Sequence, residues 1–134
     1  MRAAFPLTLL LLASCASSAV GAGAAPLTGT WRVDSVAGAA AFDTARTELV
    51  FAADGSVSTT IGCNRMAGAP QIDGDRLRFG PLATTRMACA QPLMVLESRY
   101  AAALAATRSY RIDASTLRFL DAAGAEQVVS SRVR

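Results

Sequence analysis

The chain has 134 residues, with thirteen basic and ten acidic side chains, a formal net charge of +3 and no histidine. That length favours one domain, and so small a charge excess provides no field for nucleic acid or for an anionic membrane surface. Every basic residue is arginine, which excludes lysine Schiff-base chemistry; the lack of histidine excludes Ser-His-Asp and Cys-His catalysis and the commonest transition-metal ligand.

Met1-Arg2 forms a short positive start, and Ala3 to Ala13 is an apolar run containing Leu7, Leu9, Leu10, Leu11 and Leu12. At roughly 11 residues the run is shorter than the ~20 needed to span a bilayer, so residues 1–14 read as a signal peptide. Leu12-Ala13-Ser14-Cys15 resembles a bacterial lipobox, in which the cysteine is acylated and becomes the first mature residue. The resemblance implies a lipid anchor on Cys15, and Ala16 in place of Asp implies the outer membrane, facing the periplasm. The alternative is cleavage at Ala22-Gly23-Ala24, giving a soluble periplasmic or secreted protein. Residues 15–26 are small and featureless and read as a flexible tether, with a reach of about 20 Å.

Residues 27–134 read as one mainly β domain. Trp31 and Val33 alternate within Gly29 to Val36; Leu49 and Phe51 do so within Thr47 to Ala52. Asp54-Gly55 marks a hairpin turn, followed by the alternating Val57, Thr59 and Ile61. Beyond Gly62-Cys63-Asn64-Arg65, a strand near Ala69 to Ile72 leads through Asp73-Gly74-Asp75 into Arg76 to Phe79, and Leu82 to Met87 adds another. The period then changes. Leu93, Leu96, Tyr100, Ala103 and Leu104 line one face of a helix over Pro92 to Thr107, with Glu97, Ser98 and Arg99 facing outward or flanking the stripe. Strands resume at Ser109 to Ile112, Thr116 to Leu120 and Glu126 to Val133. Tight links favour antiparallel pairing, and curling the sheet on itself removes exposed edges. The expected fold is a partly open antiparallel β-barrel of about eight strands with one helix (α+β, mainly β).

Three cysteines leave one odd in an exported protein. If Cys15 takes lipid, Cys63 and Cys89 remain for each other, and their bridge would stabilise the fold by about 3.5 kcal/mol through loop closure. A reactive thiol is the alternative, although no CxxC motif or histidine supports it.

The motifs Gly62-Cys63-Asn64-Arg65 with Gly68, and Asp73-Gly74-Asp75-Arg76-Leu77-Arg78-Phe79-Gly80-Pro81-Leu82-Ala83-Thr84-Thr85-Arg86-Met87-Ala88-Cys89, followed by the Leu96-Glu97 helix, resemble the META domain, or HslJ-like (heat-inducible protein), family. The match runs from about Leu27 to Val133. The resemblance implies a small exported or lipoprotein domain with an antiparallel β fold and one helix, linked in some members to heat stress, novobiocin-type resistance or secretion, and with no established enzymatic activity. Pro70 stands where many members carry an aromatic.

Asn64, Arg65 and Arg86 are the candidate ligand- or partner-facing residues, because an αL-tolerant Asn and two forked guanidiniums near the bridge would suit an anion. The alternative for Asn64 is a bridge-pinned turn bonding its own backbone. Gly29-Thr30-Trp31 is similar to the Gly-x-Trp opening of lipocalins, or Trp31 closes one barrel end. Asp54, Asp73, Asp75 and Asp121 sit in turns without calcium-loop spacing. No nucleophile–base pair can be assembled, so no catalytic residue, metal site or cofactor is expected. The expected function is a non-catalytic envelope domain. It would bind a protein or envelope component and support outer-membrane integrity under stress. The alternative is a lipocalin-like carrier of a small apolar ligand.

Overall fold

The structure is a computed structural model and describes residues 25–134. The expected signal peptide (1–14), the acylated Cys15 and the tether up to residue 24 lie outside the described residues. Ten strands form one antiparallel sheet. They are β1 (Gly29–Val36), β2 (Glu48–Phe51), β3 (Val57–Thr60), β4 (Arg65–Gly68), β5 (Gln71–Asp73), β6 (Arg76–Arg78), β7 (Ala83–Thr84), β8 (Ser109–Asp113), β9 (Thr116–Leu120) and β10 (Glu126–Arg132). Helix α1 (Gln91–Ala106) lies between β7 and β8 in sequence.

The spatial order is β5-β6-β8-β9-β10-β1-β2-β3-β4-β7. Only Ala69-Pro70 joins β4, near one end of that order, to β5 at the other. Three peptide steps span at most about 11 Å, so the sheet must curl until its ends approach. The result is an open half-barrel. Its concave face is filled: Phe119 on β9 meets Phe51 on β2 edge-on at 6.3 Å and Phe79 after β6 at 5.4 Å. Phe119 and Phe51 sit on strands three places apart in the sheet, and Phe79 follows a strand two places from β9, so the rings meet across the curled interior. Trp31, Tyr100, Leu49, Leu77, Leu104 and Leu117 complete a core closed to solvent.

The alternation that defines β1 breaks after Val33, where a bulge between Val33 and Ser35 against β10 moves the next inward residue to Val36. The β1–β2 ladder ends at Trp31↔Leu49. Beyond it the Val33 N–H donates to Thr47 Oγ1 at 2.8 Å, a side-chain substitute for the missing rung. Thr47 follows a short 3-10 turn at Thr44–Arg46, which the sequence pattern does not announce. The sequence pattern does not announce strand β4 either. Of Arg65-Met66-Ala67-Gly68, only Met66 points inward and is buried, so no apolar alternation betrays it.

Helix α1 plugs the concave side. Pro92 sits in its first turn, and Leu96, Tyr100, Ala103 and Leu104 face the core as expected, with Leu93 partly buried beside them. Glu97, expected to face outward or to flank the stripe, is buried. Thr59 Oγ1 donates to the Glu48 carbonyl at 2.8 Å and meets Tyr100 Oη at 2.7 Å. Because the Thr59 hydroxyl has only one proton, Tyr100 is the donor to Thr59. That chain of bonds ties the helix to β3 and β2.

Candidate functional site: a polar clamp at the bridge and an apolar groove

Strand β3 leaves the sheet through Ile61-Gly62-Cys63-Asn64. Thr60 Oγ1 accepts the Gly62 N–H at 3.2 Å and donates to the Asn64 carbonyl at 2.9 Å, so one hydroxyl fixes the whole turn. Gly62 has φ +127°, and a Cβ there would approach Leu93 Cδ2 at 3.2 Å. The turn therefore needs glycine both for its backbone and for the close passage of α1. It delivers Cys63 to Cys89, and the two are disulfide-bonded with Cα atoms 6.4 Å apart.

Asn64 is buried at 7% exposure. Its Oδ1 accepts the Met87 N–H at 2.7 Å and the Thr85 hydroxyl at 3.0 Å; its Nδ2 donates to the Met87 carbonyl and to Glu97 Oε2, both at 3.3 Å. Its backbone N–H also points at Glu97 Oε2, at 3.4 Å. Two donors and two acceptor contacts use the amide fully. Asn64 is thus the centre of an internal clamp, not a ligand-facing residue, and its side-chain partners lie on distant segments rather than in its own turn. The clamp explains why Glu97 is buried: two donors from Asn64 meet its carboxylate.

Arg65 is on the surface. Its guanidinium bonds Glu48 Oε1 from two nitrogens at 3.2 Å and Ser58 Oγ at 2.8 Å, across the outer face of β2, β3 and β4. Half-exposed on both sides, that pair contributes well under ~1 kcal/mol. Arg86 is exposed and makes no salt bridge among the described residues. The structure therefore places Arg65 against Glu48, and only Arg86 of the two guanidiniums is left to an outside anion. Trp31 is fully buried; its indole N–H donates to the Leu27 carbonyl at 2.8 Å, and the Arg132 guanidinium lies 4.1 Å over its ring.

Beside the clamp runs a groove of about 720 Å³ between the 38–43 loop and the first half of α1. Ala39, Ala41, Phe42, Leu93, Val95 and Leu96 line it, with Asp43 and Arg99 as its charged residues. Val95 is 51% exposed, and exposed Met94 and Met87 also lie on or just before α1. Sequence reading missed this groove because one wall is the Ala-rich loop, whose composition looks like a linker. No helix among the described residues is long and apolar enough to cross a membrane.

A curled antiparallel half-barrel plugged by one helix, with a bridge and a buried Asn–Glu clamp holding the helix approach, defines a small mainly β domain of one architecture. The chain belongs to the META domain family, whose model matches residues 25–133. No curated protein matches it at the sequence level. Among solved structures, it is similar to a protein from Burkholderia xenovorans determined by NMR. That match has TM-score 0.61 and 24% identity and covers 82% of this chain and 86% of the other. It is also similar to a crystal structure of a DUF4847-family protein from Bacteroides vulgatus. There the TM-score is 0.57 and the identity 16%, with 78% and 92% covered. At those identities the likeness concerns the fold.

Proposed function

We propose that this domain is a non-catalytic binding module of the bacterial envelope, and that the groove between the 38–43 loop and α1 receives the acyl chain of an anionic envelope component. The groove carries the reading. Its volume of about 720 Å³ lies within the range of small-molecule sites, ~300–1,000 Å³, and its lining is apolar with few charged groups. Arg99 makes no salt bridge among the described residues, so it offers a guanidinium to a carboxylate or phosphate head. Exposed Val95 and Met94 extend the apolar surface along the helix. The filled interior disfavours a lipocalin-like carrier with its ligand inside the barrel.

The non-catalytic reading rests on chemistry: the chain has no histidine or lysine, and the buried carboxylate of Glu97 is bonded to Asn64. The lipobox-like leader supports a periplasm-facing location at the outer membrane, where such binding would support envelope integrity under heat or hydrophobic-antibiotic stress.

Titrating the ¹⁵N-labelled mature chain with monomeric laurate tests this. Amide shifts should concentrate at Ala39 to Phe42 and Leu93 to Val95, and Val95→Asp should abolish them. A strain carrying Val95→Asp should lose stress tolerance as a deletion does. Absent shifts, or shifts scattered over the barrel, would sink the groove as the site.

A further inference from the structure

Behind the clamp, three ligand-type groups lie together. The sulfurs of Cys63 and Cys89 and a carboxylate oxygen of Glu97 are all within 4.8 Å of one another. Cys89 Sγ is 4.0 Å from Glu97 Oε2. A tetrahedral zinc centre, with Zn–S ~2.3 Å and Zn–O ~2.1 Å, needs S···S of about 3.8 Å and S···O of about 3.6 Å. The carboxylate is thus already within half an ångström or so of a ligating distance from Cys89. The Cα separation of 6.4 Å lies in the upper part of the ~4.4–6.8 Å range for bridged cysteines, which leaves room for the sulfurs to part by side-chain rotation. Asn64 donates to Glu97 Oε2 from both its backbone and its amide, and such outer hydrogen bonds orient ligating carboxylates.

We propose that reduction of the Cys63–Cys89 bridge turns this cluster into a site for a borderline-soft divalent cation of the zinc class, held by both thiolates and Glu97. In the first step a dithiol reductant delivers two electrons and two protons to the bridge and leaves as its own disulfide. In the second, the cation binds Sγ of Cys63, Sγ of Cys89 and the Glu97 carboxylate, and the two thiol protons pass to solvent. Both cysteines are only half-buried, so the fourth position opens to water. The metal then replaces the covalent bridge in holding the 85–90 segment to the turn. With the bridge closed, neither Cys63 nor Cys89 has a thiolate to offer, so the bridge gates the site.

Cobalt(II) and zinc titrations of the full chain, reduced with a phosphine, test this. Reduced wild type should take up one metal per chain and show a sulfur-to-cobalt charge-transfer band, while the bridged protein shows neither. Cys63→Ser and Cys89→Ser should each lose most of the band. Glu97→Gln keeps an acceptor for Asn64, so its bridged form should melt like wild type while its reduced form binds at least ~10-fold more weakly. Four results would overturn the proposal: no uptake by the reduced chain, equal uptake by the bridged chain, undiminished binding in either serine variant, or a reduced chain that unfolds and is not restored by zinc. Unaltered affinity in Glu97→Gln would remove the carboxylate from the site.

Discussion

The two sides of the half-barrel are held by different chemistry. Around β10, β1 and β2 the strands are paired over long ladders: β1 and β10 share register from Trp31↔Arg132 to Val36↔Val128. Their inner faces carry Trp31, Val33, Leu49, Phe51 and Val128, all closed to solvent. At the other end, β4 and β7 pair only through Met66↔Thr84 and Ala67↔Ala83. The next six residues, 85–90, belong to no helix or strand. After the Thr85 N–H, which still donates to the Arg65 carbonyl at 3.0 Å, backbone groups there have no ladder to enter, yet they still need partners. One buried asparagine, one buried glutamate and a disulfide supply the order. Where regular pairing runs out, a few side chains with long-range partners take its place, and the structure becomes sensitive to each of them.

Removing the largest apolar anchor on the ladder side should have the greatest effect. Trp31→Ala leaves a cavity in the core, deletes the bond to the Leu27 carbonyl and removes the ring on which Arg132 stacks, and such truncations cost about 3–5 kcal/mol. The denaturant midpoint should fall steeply while amide protection is lost evenly across the sheet. A loss confined to residues near the N-terminal end of β1 would break the comparison, because it would show the ladder side to be no more cooperative than the clamp.

Asn64→Ala probes the other side. It deletes the partners of Met87 N–H and the Thr85 hydroxyl and one of the two donors to the Glu97 carboxylate, but the bridge still tethers the segment. The expected cost is about 2 kcal/mol, from buried polar groups left unsatisfied. Hydrogen exchange should accelerate at Met87 with little change in β1, β9 or β10. Arg65→Ala, which loses only an exposed pair, should fall within ~0.5 kcal/mol of wild type. Equal effects at positions 64 and 65 would mean that the clamp is not what orders the loop.

The same division decides what could be read in advance. Strand β1, the Asp54-Gly55 turn and helix α1 are written in local periods of two and 3.6 and in turn residues, so they emerge from neighbours in sequence. The family motifs likewise mark the bridge. The burial of Glu97 is not legible locally, because its one-residue offset from Leu96 looks like the solvent edge of the helix; its partner Asn64 lies 33 residues away. The pattern around Asn64 suggests a ligand-facing loop for the same reason: an αL-tolerant Asn two residues after Gly62 looks exposed, and nothing local reveals partners at Thr85, Met87 and Glu97. The bulge after Val33 and the strand at Met66 depend on their cross-strand neighbours, which no single segment encodes.

Tyr100 joins the two sides, and its effect is read in the pH dependence of stability. Its hydroxyl donates to Thr59 on β3 while its ring fills the core under α1. Burial pushes its phenol well above the ordinary value near 10. The folded phenol stays protonated where the unfolded one ionises, so the unfolded state binds fewer protons above pH ~10. The stabilisation is complete below that pH and is lost as pH rises toward the folded value, at up to about 1.4 kcal/mol per pH unit. Tyr110 is also raised, by partial burial first and then by Asp75, and adds a smaller slope of the same sign. Tyr100→Phe should cost about 1 kcal/mol at neutral pH through the lost hydrogen bond and should flatten the alkaline decline. Denaturant midpoints from pH 8 to 11 measure both. Parallel curves for the two proteins would show that the Tyr100 proton is not what the native state retains, and that the helix is joined to β3 by packing alone.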